Sequence, residues 1–88
     1  MKDVRELERV LKALANRRRL GILKFLKLKK EAIVGEIAEA IRLSFKSTSR
    51  HLSILSGAGV VEREQRSTEV FYSIRFAHPT VSHTSNLL

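Results

Sequence analysis

Residues 44–61, SFKSTSRHLSILSGAGVV, carry the densest mix of chemistry in the chain, with Lys46, Arg50 and His51 set among serine and threonine hydroxyls. Lysine and arginine are cationic donors with no acceptor, and hydroxyls make close-range hydrogen bonds in either sense. On a helix that turns about 100° per residue, Lys46, Arg50 and Ser53 share one side, flanked by Ser47. Thr48, Leu52 and Leu55 fall opposite, with His51 at the edge of that stripe. The segment therefore offers a cationic face outwards and a core face inwards. Such a face suits a polyanion. Arginine forks onto guanine O6 and N7, and lysine reaches guanine or phosphate. Ser44, Ser47 and Ser49 suit phosphate or base-edge bonds. The plainer interpretation is an ordinary solvated face, and Lys46 with Arg50 alone does not decide between the two.

Charge elsewhere bears on that choice. The 88 residues carry a formal net charge of +8. From Arg9 to Lys30 there are nine Lys or Arg and no acid. From Ala40 to Val61 there are three more, Arg42, Lys46 and Arg50, again with no acid. Charge so distributed raises encounter rates with polyanions and neutralises phosphates, although solubility alone is also served by it.

Several classes of function are poorly supported. No cysteine is present, so there is no disulfide framework, thiolate zinc site or cysteine redox chemistry. No nucleophile-base pair, Gly-rich phosphate loop or carboxylate cluster is visible, and the chain is not expected to be an enzyme. His78 and His83, five residues apart, lie about 140° apart on a helix. No Asp or Glu follows Glu69, so a metal site and a resident cofactor are not expected. No apolar run approaches a membrane span of roughly 20 residues. The charged, amphipathic N-terminus does not resemble a secretory leader. The expected location is cytoplasmic.

The elements that must position the cationic face read as follows. Val4, Leu7, Leu11 and Leu14 form one apolar stripe on a helix over residues 3–15, with Asp3 as N-cap and Glu6 in capping-box position. Asn16 caps a second helix, RRRLGILKFLKL, whose apolar residues Leu20, Ile22, Leu23, Phe25, Leu26 and Leu28 cover more than one face. Lys24 and Lys27 are expected to stay in water. AIV, residues 32–34, suggests a short edge strand, and a third helix runs from about Gly35 to Ile41. Arg42-Leu43-Ser44 turns the chain, Ser44 caps the fourth helix at about 45–56, and Gly57 and Gly59 end it.

From Val60 the hydrophobic period changes to two. VVEREQ and EVFYSIRF are β-type runs joined at RST, a hairpin wing over about 60–75 with Arg63 and Arg66 towards its tip. A tail, 77–88, is either a short helix from Pro79 or disordered. The expected fold is mainly α with a small β-hairpin: a single winged helix-turn-helix domain over 1–88. A basic helix and a basic wing flanking one helix-turn-helix point to double-stranded DNA. Lys46, Ser47 and Arg50 would enter the major groove, with Ser44 and Ser49 beside them. Arg63 and Arg66 would meet the adjacent minor groove or backbone.

At this point the sequence resembles the ArsR-type (arsenic-repressor-like) winged helix-turn-helix regulators over about residues 7–75. Arg19-Leu20 stands in the family's Arg-Leu place. Ser49-Arg50-His51-Leu52, then Leu55 to Val60, match its Ser-x-His-Leu and Leu-x-x-Ala-Gly pattern. Tyr72 occupies its aromatic wing position. The resemblance implies a homodimeric transcription factor, typically a repressor, on an inverted repeat. It also implies a dimer interface between first and last helices, here Val4, Leu7, Leu11 and Leu14 with Leu87 and Leu88. The sequence departs from the pattern at Arg42, a turn position usually held by glycine. Thr48 stands in place of an aliphatic core residue, and the wing turn Arg66-Ser67-Thr68 lacks glycine. A small-molecule or metal effector is not legible.

Two other functions compete with this reading. A non-specific architectural DNA binder would rely on phosphate neutralisation and show a steep salt slope with little sequence preference. A winged-helix protein-interaction module would not need Lys46 or Arg50 at all.

Overall fold

A computed structural model describes residues 3–88. The element order is α1 (Val4–Leu14), α2 (Arg17–Lys29), α3 (Val34–Ile41), α4 (Phe45–Gly57), β1 (Val61–Arg66), β2 (Glu69–Ile74) and α5 (Pro79–Asn86). The fold is the expected mainly helical one with a β wing.

Each helix starts where its side chains satisfy the first free N–H groups. The Asp3 carboxylate accepts from Arg5 N at 2.9 Å, Asn16 Oδ1 from Arg19 N at 3.1 Å, and Ser44 Oγ from Ser47 N at 3.1 Å. At α3 the Glu36 carboxylate instead reaches back to Ile33 N at 3.1 Å. The tail is a helix: Pro79 opens α5, and His78 Nδ1 accepts from Thr80 N at 3.2 Å.

The core gathers Val10, Ala13 and Leu14 of α1 with Ile22, Leu23 and Leu26 of α2. Ala32, Ile37, Leu52, Leu55, Val60, Val61, Tyr72, Ile74 and Val81 complete it. Val10, outside the anticipated α1 stripe, is buried, whereas Val4 is 80% exposed. Leu28, expected to pack, lies 78% exposed at the end of α2. Lys27 is also not left to water. Its Nζ donates to Ser85 O at 2.9 Å and Leu88 O at 3.3 Å, capping the carbonyl end of α5.

The anticipated AIV strand reduces to one antiparallel bridge, Ala32 to Tyr72, closed by two backbone bonds of 3.1 and 2.8 Å. That bridge fastens the wing to the α2–α3 connection. The wing pairs Val61 with Ile74 at its base and Arg66 with Glu69 at its tip, the turn being Ser67-Thr68.

Candidate nucleic-acid interface

The turn into α4 is strained and sharp. Arg42 takes φ 56, ψ 50, and Leu43 N bonds back to Ala38 O at 3.0 Å. A side chain at positive φ costs roughly 1 kcal/mol, and the cost falls at the bend that sets the angle between α3 and α4. At the other end Gly59, φ 76, lets Val60 N reach Leu55 O at 2.9 Å. This is the glycine closure expected there, and it launches the wing.

Between those ends α4 divides as its spacing requires. Thr48, Leu52 and Leu55 are fully buried, while Lys46, Arg50 and Ser53 are exposed and Ser47 and Ser49 half-buried. Neither Lys46 nor Arg50 forms an ion pair among the described residues. Their charges are thus presented to whatever the helix meets. Ser44 lies at the helix entry with its oxygen committed to Ser47 N. Phe45, 64% exposed, stands at the wing edge of α4, above a shallow groove of about 250 Å³ shared with Ile33, Val34 and Val70.

The two wing arginines separate. Residues an odd number apart on a strand project from opposite faces, so Arg63 and Arg66 point apart. Arg66 Nη1 and Nη2 fork onto the Glu31 carboxylate at 2.6 and 2.8 Å, and Nη2 also bonds Glu64 at 2.7 Å. The same guanidinium lies 4.6 Å above the Phe71 ring. The bond from Arg66 holds the Glu31 carboxyl below the usual carboxylate range, and Glu31 and Glu64 in turn raise the Arg66 guanidinium's pKa. Arg66, which the sequence suggested as a DNA contact, here joins the wing to the α2–α3 connection through Glu31. Arg63 is exposed and in no ion pair among the described residues.

Sequence reasoning missed what holds the other flank of α4. Arg19 Nε donates to Ala13 O at 2.6 Å and Nη2 to Lys12 O at 3.3 Å, satisfying free carbonyls at the end of α1. Its Nη1 lies 3.2 Å from His51 Nδ1. Arginine only donates, so His51 Nδ1 is the acceptor and the ring carries its proton on Nε2. Burial first, then the charges of Arg19, Arg18 and Arg50, push the His51 pKa below its ordinary value. The available signal was Arg19 in the Arg-Leu position, but no local spacing predicts a bond spanning 32 residues.

The anticipated dimer residues also divide. Val4, Leu7 and Leu11 are 80, 36 and 48% exposed and line an apolar groove of about 350 Å³ along α1; Leu87 is 72% exposed. Leu14 is 5% exposed, inside the chain's own core, and Leu88 packs partly against that core. An interface from this surface therefore omits Leu14. Among the described residues no group of three or more His, Cys, Asp or Glu is placed to hold a metal ion. No helix among them is long and apolar enough to cross a membrane.

Comparison with known proteins agrees with this geometry. The family described as "Bacterial regulatory protein, arsR family" matches residues 16–63, from the cap of α2 into the wing. The transcriptional activator HlyU of Vibrio cholerae is 42% identical over 65 residues, covering 74% of this chain; the chain spans 59% of that relative's length. A solved structure of HlyU from Vibrio cholerae superposes with a TM-score of 0.83 at 35% identity, covering 98% of this chain and 90% of that one. The transcriptional repressor PagR of Bacillus anthracis gives 0.83 at 28% identity, covering 96 and 93%. A domain of Mb0332 from Mycobacterium bovis, described as a homodimeric winged helix-turn-helix DNA-binding domain, gives 0.83 at 36% identity, covering 96 and 75%. The matched family is one of regulators rather than enzymes. The chain is a winged helix-turn-helix protein and belongs to the arsR family of bacterial regulatory proteins.

Proposed function

We propose that the chain is a sequence-specific, duplex-DNA-binding transcriptional regulator acting as a homodimer. The observation that carries this reading is the outward face of α4, where Lys46 and Arg50 stand exposed with no acidic partner among the described residues. In this reading Lys46, Ser47 and Arg50 enter the major groove, and Ser44 and Ser49 lie close to backbone or base edges. Arg63 reaches the neighbouring backbone, and Arg66 sets the pose of the wing instead of touching DNA. Val4, Leu7, Leu11 and Leu87 pair the protomers, which supports recognition of an inverted repeat. HlyU is described as an activator and PagR as a repressor, so the relatives do not share one sign of regulation. A regulator of promoter DNA acts in the cytoplasm.

Fluorescence anisotropy with duplex DNA from upstream of the protein's own gene, against a shuffled duplex across a salt series, tests the reading. The expected result is a preference of about a hundredfold or more at physiological salt, a floor below the roughly 10³–10⁷ typical of specific over non-specific binding. Equal binding to both duplexes that collapses together as salt rises overturns it in favour of architectural binding, the reading that the net charge of +8 also supports. No binding even at low salt leaves a protein-interaction role.

A further inference from the structure

The Arg19–His51 bond places the first turn of α2 directly beside α4. It does so on the flank away from the wing: Phe45 marks the wing edge of the buried α4 stripe, and His51 marks the other edge. Arg17 and Arg18 immediately precede the docked Arg19, and both are exposed. Neither is in an ion pair among the described residues, and no acid lies between Arg9 and Lys30 in sequence. Arg18, Arg19 and Arg50 all act on the one His51 ring, which brings Arg18 and Arg19 of α2 into the same patch as the cationic face of α4, with Arg17 next to them in the chain. Like charges so gathered repel one another, and a patch whose Arg17, Arg18 and Arg50 have no ion pair among the described residues suits a polyanion that relieves the repulsion.

We propose that Arg17 and Arg18 form a second phosphate-contacting surface for duplex DNA, continuous with the α4 face and on the flank opposite the wing. This rests on the DNA-binding reading above and extends it. The three arginines of the run then divide their work. Arg19 turns inward, ties α1 to α4 and fixes the patch, while Arg18 and Arg17 face the backbone. A straddle results, with Arg63 reaching phosphates on one side of α4 and Arg17–Arg18 on the other. Contacts of this kind set affinity and register but not sequence preference.

The test is the dependence of operator affinity on salt for the full chain, comparing wild type with Arg18→Gln, Arg17→Gln/Arg18→Gln and the charge-matched Lys24→Gln/Arg75→Gln. Each lost phosphate contact lowers the slope of log K against log salt by about 0.9. The expected changes are therefore about 0.9 for the single and about 1.8 for the double variant, with roughly thirtyfold weaker binding at 0.15 M salt for the double. The preference for operator over shuffled duplex should stay as in wild type, circular dichroism should be unaltered because Arg19 is untouched, and the melting temperature should not fall, since the variants only relieve repulsion. An unchanged slope in the double variant, or an equal drop in the Lys24/Arg75 control, overturns the proposal while leaving the DNA reading standing. Failure of wild type to bind any duplex overturns both.

Discussion

Arg19 and His51, 32 residues apart, meet with Nη1 3.2 Å from Nδ1, and this one contact joins the end of α1, the start of α2 and the middle of α4. It requires a neutral imidazole, because a protonated ring would turn an N–H towards a guanidinium. Unfolded His51 takes up a proton at about pH 6.5, whereas the folded ring does so only at lower pH. Between those values the unfolded chain binds more protons, so stability rises with pH there. The contribution is whole above about pH 6.5 and is lost as pH falls from there towards the folded pKa. Urea midpoints across that range should slope less for His51→Asn, which keeps an acceptor near the Nδ1 position but does not titrate. His78 and His83 remain in both proteins, so equal slopes would show that His51 is not the group responsible.

Thr48 offers a stability prediction of the opposite sign. Its side chain is fully buried under α4, and Oγ1 has no hydrogen-bond partner among the described residues. A buried hydroxyl without a partner costs about 1–3 kcal/mol, and valine has nearly the same shape. Thr48→Val should raise the stability by about 1 kcal/mol in urea titration. A loss of stability would mean that the hydroxyl finds a partner in solution.

Arg50→Ala should weaken binding to the operator by about 1–3 kcal/mol and relax preference at the base pair it reads. Binding to shuffled duplex should weaken less. Full affinity on an operator bound tightly by wild type would remove Arg50 from the reading helix.

The wing arginines should behave differently from one another. Arg63→Ala should lower operator affinity and reduce the salt slope by about 0.9, with the wing amides unchanged. Arg66→Ala should speed hydrogen exchange at Glu64 and Phe71, because it releases the wing from Glu31. The same release should follow acidification into the range where Glu31 protonates, since its lowered pKa is stability lost as pH falls. Unaltered exchange in Arg66→Ala would show that the Ala32–Tyr72 bridge holds the wing alone.

Leu11, 48% exposed in the α1 groove, should be needed for pairing and not for folding. Leu11→Asp should shift sedimentation towards monomer at micromolar concentration and keep its helical circular dichroism. Leu14→Asp, placed in the core instead, should unfold the chain. A Leu11→Asp protein that sediments as wild type would move the interface elsewhere.

The sequence by itself determined whatever depends on neighbours a few residues away. Asn16 and Ser44 cap the helices that they precede, and Gly59 closes α4. Leu52 and Leu55 are buried and Lys46 and Arg50 exposed, because 3.6-residue periodicity fixes which side chains share a face. The change to period two announced the wing, and the motifs around Arg19, His51 and Tyr72 announced the family. Tertiary structure alone decided the partners across long loops. Arg66 and Glu31 lie 35 residues apart, Lys27 and Ser85 58, and Arg19 and His51 32. A charged side chain read locally looks solvated or ready for DNA. Whether it is spent instead on a carboxylate, a helix end or an imidazole depends on which elements the core packs together. That is why the sequence could not show that Arg66 clasps Glu31, and why Leu14 read as interface and folds as core.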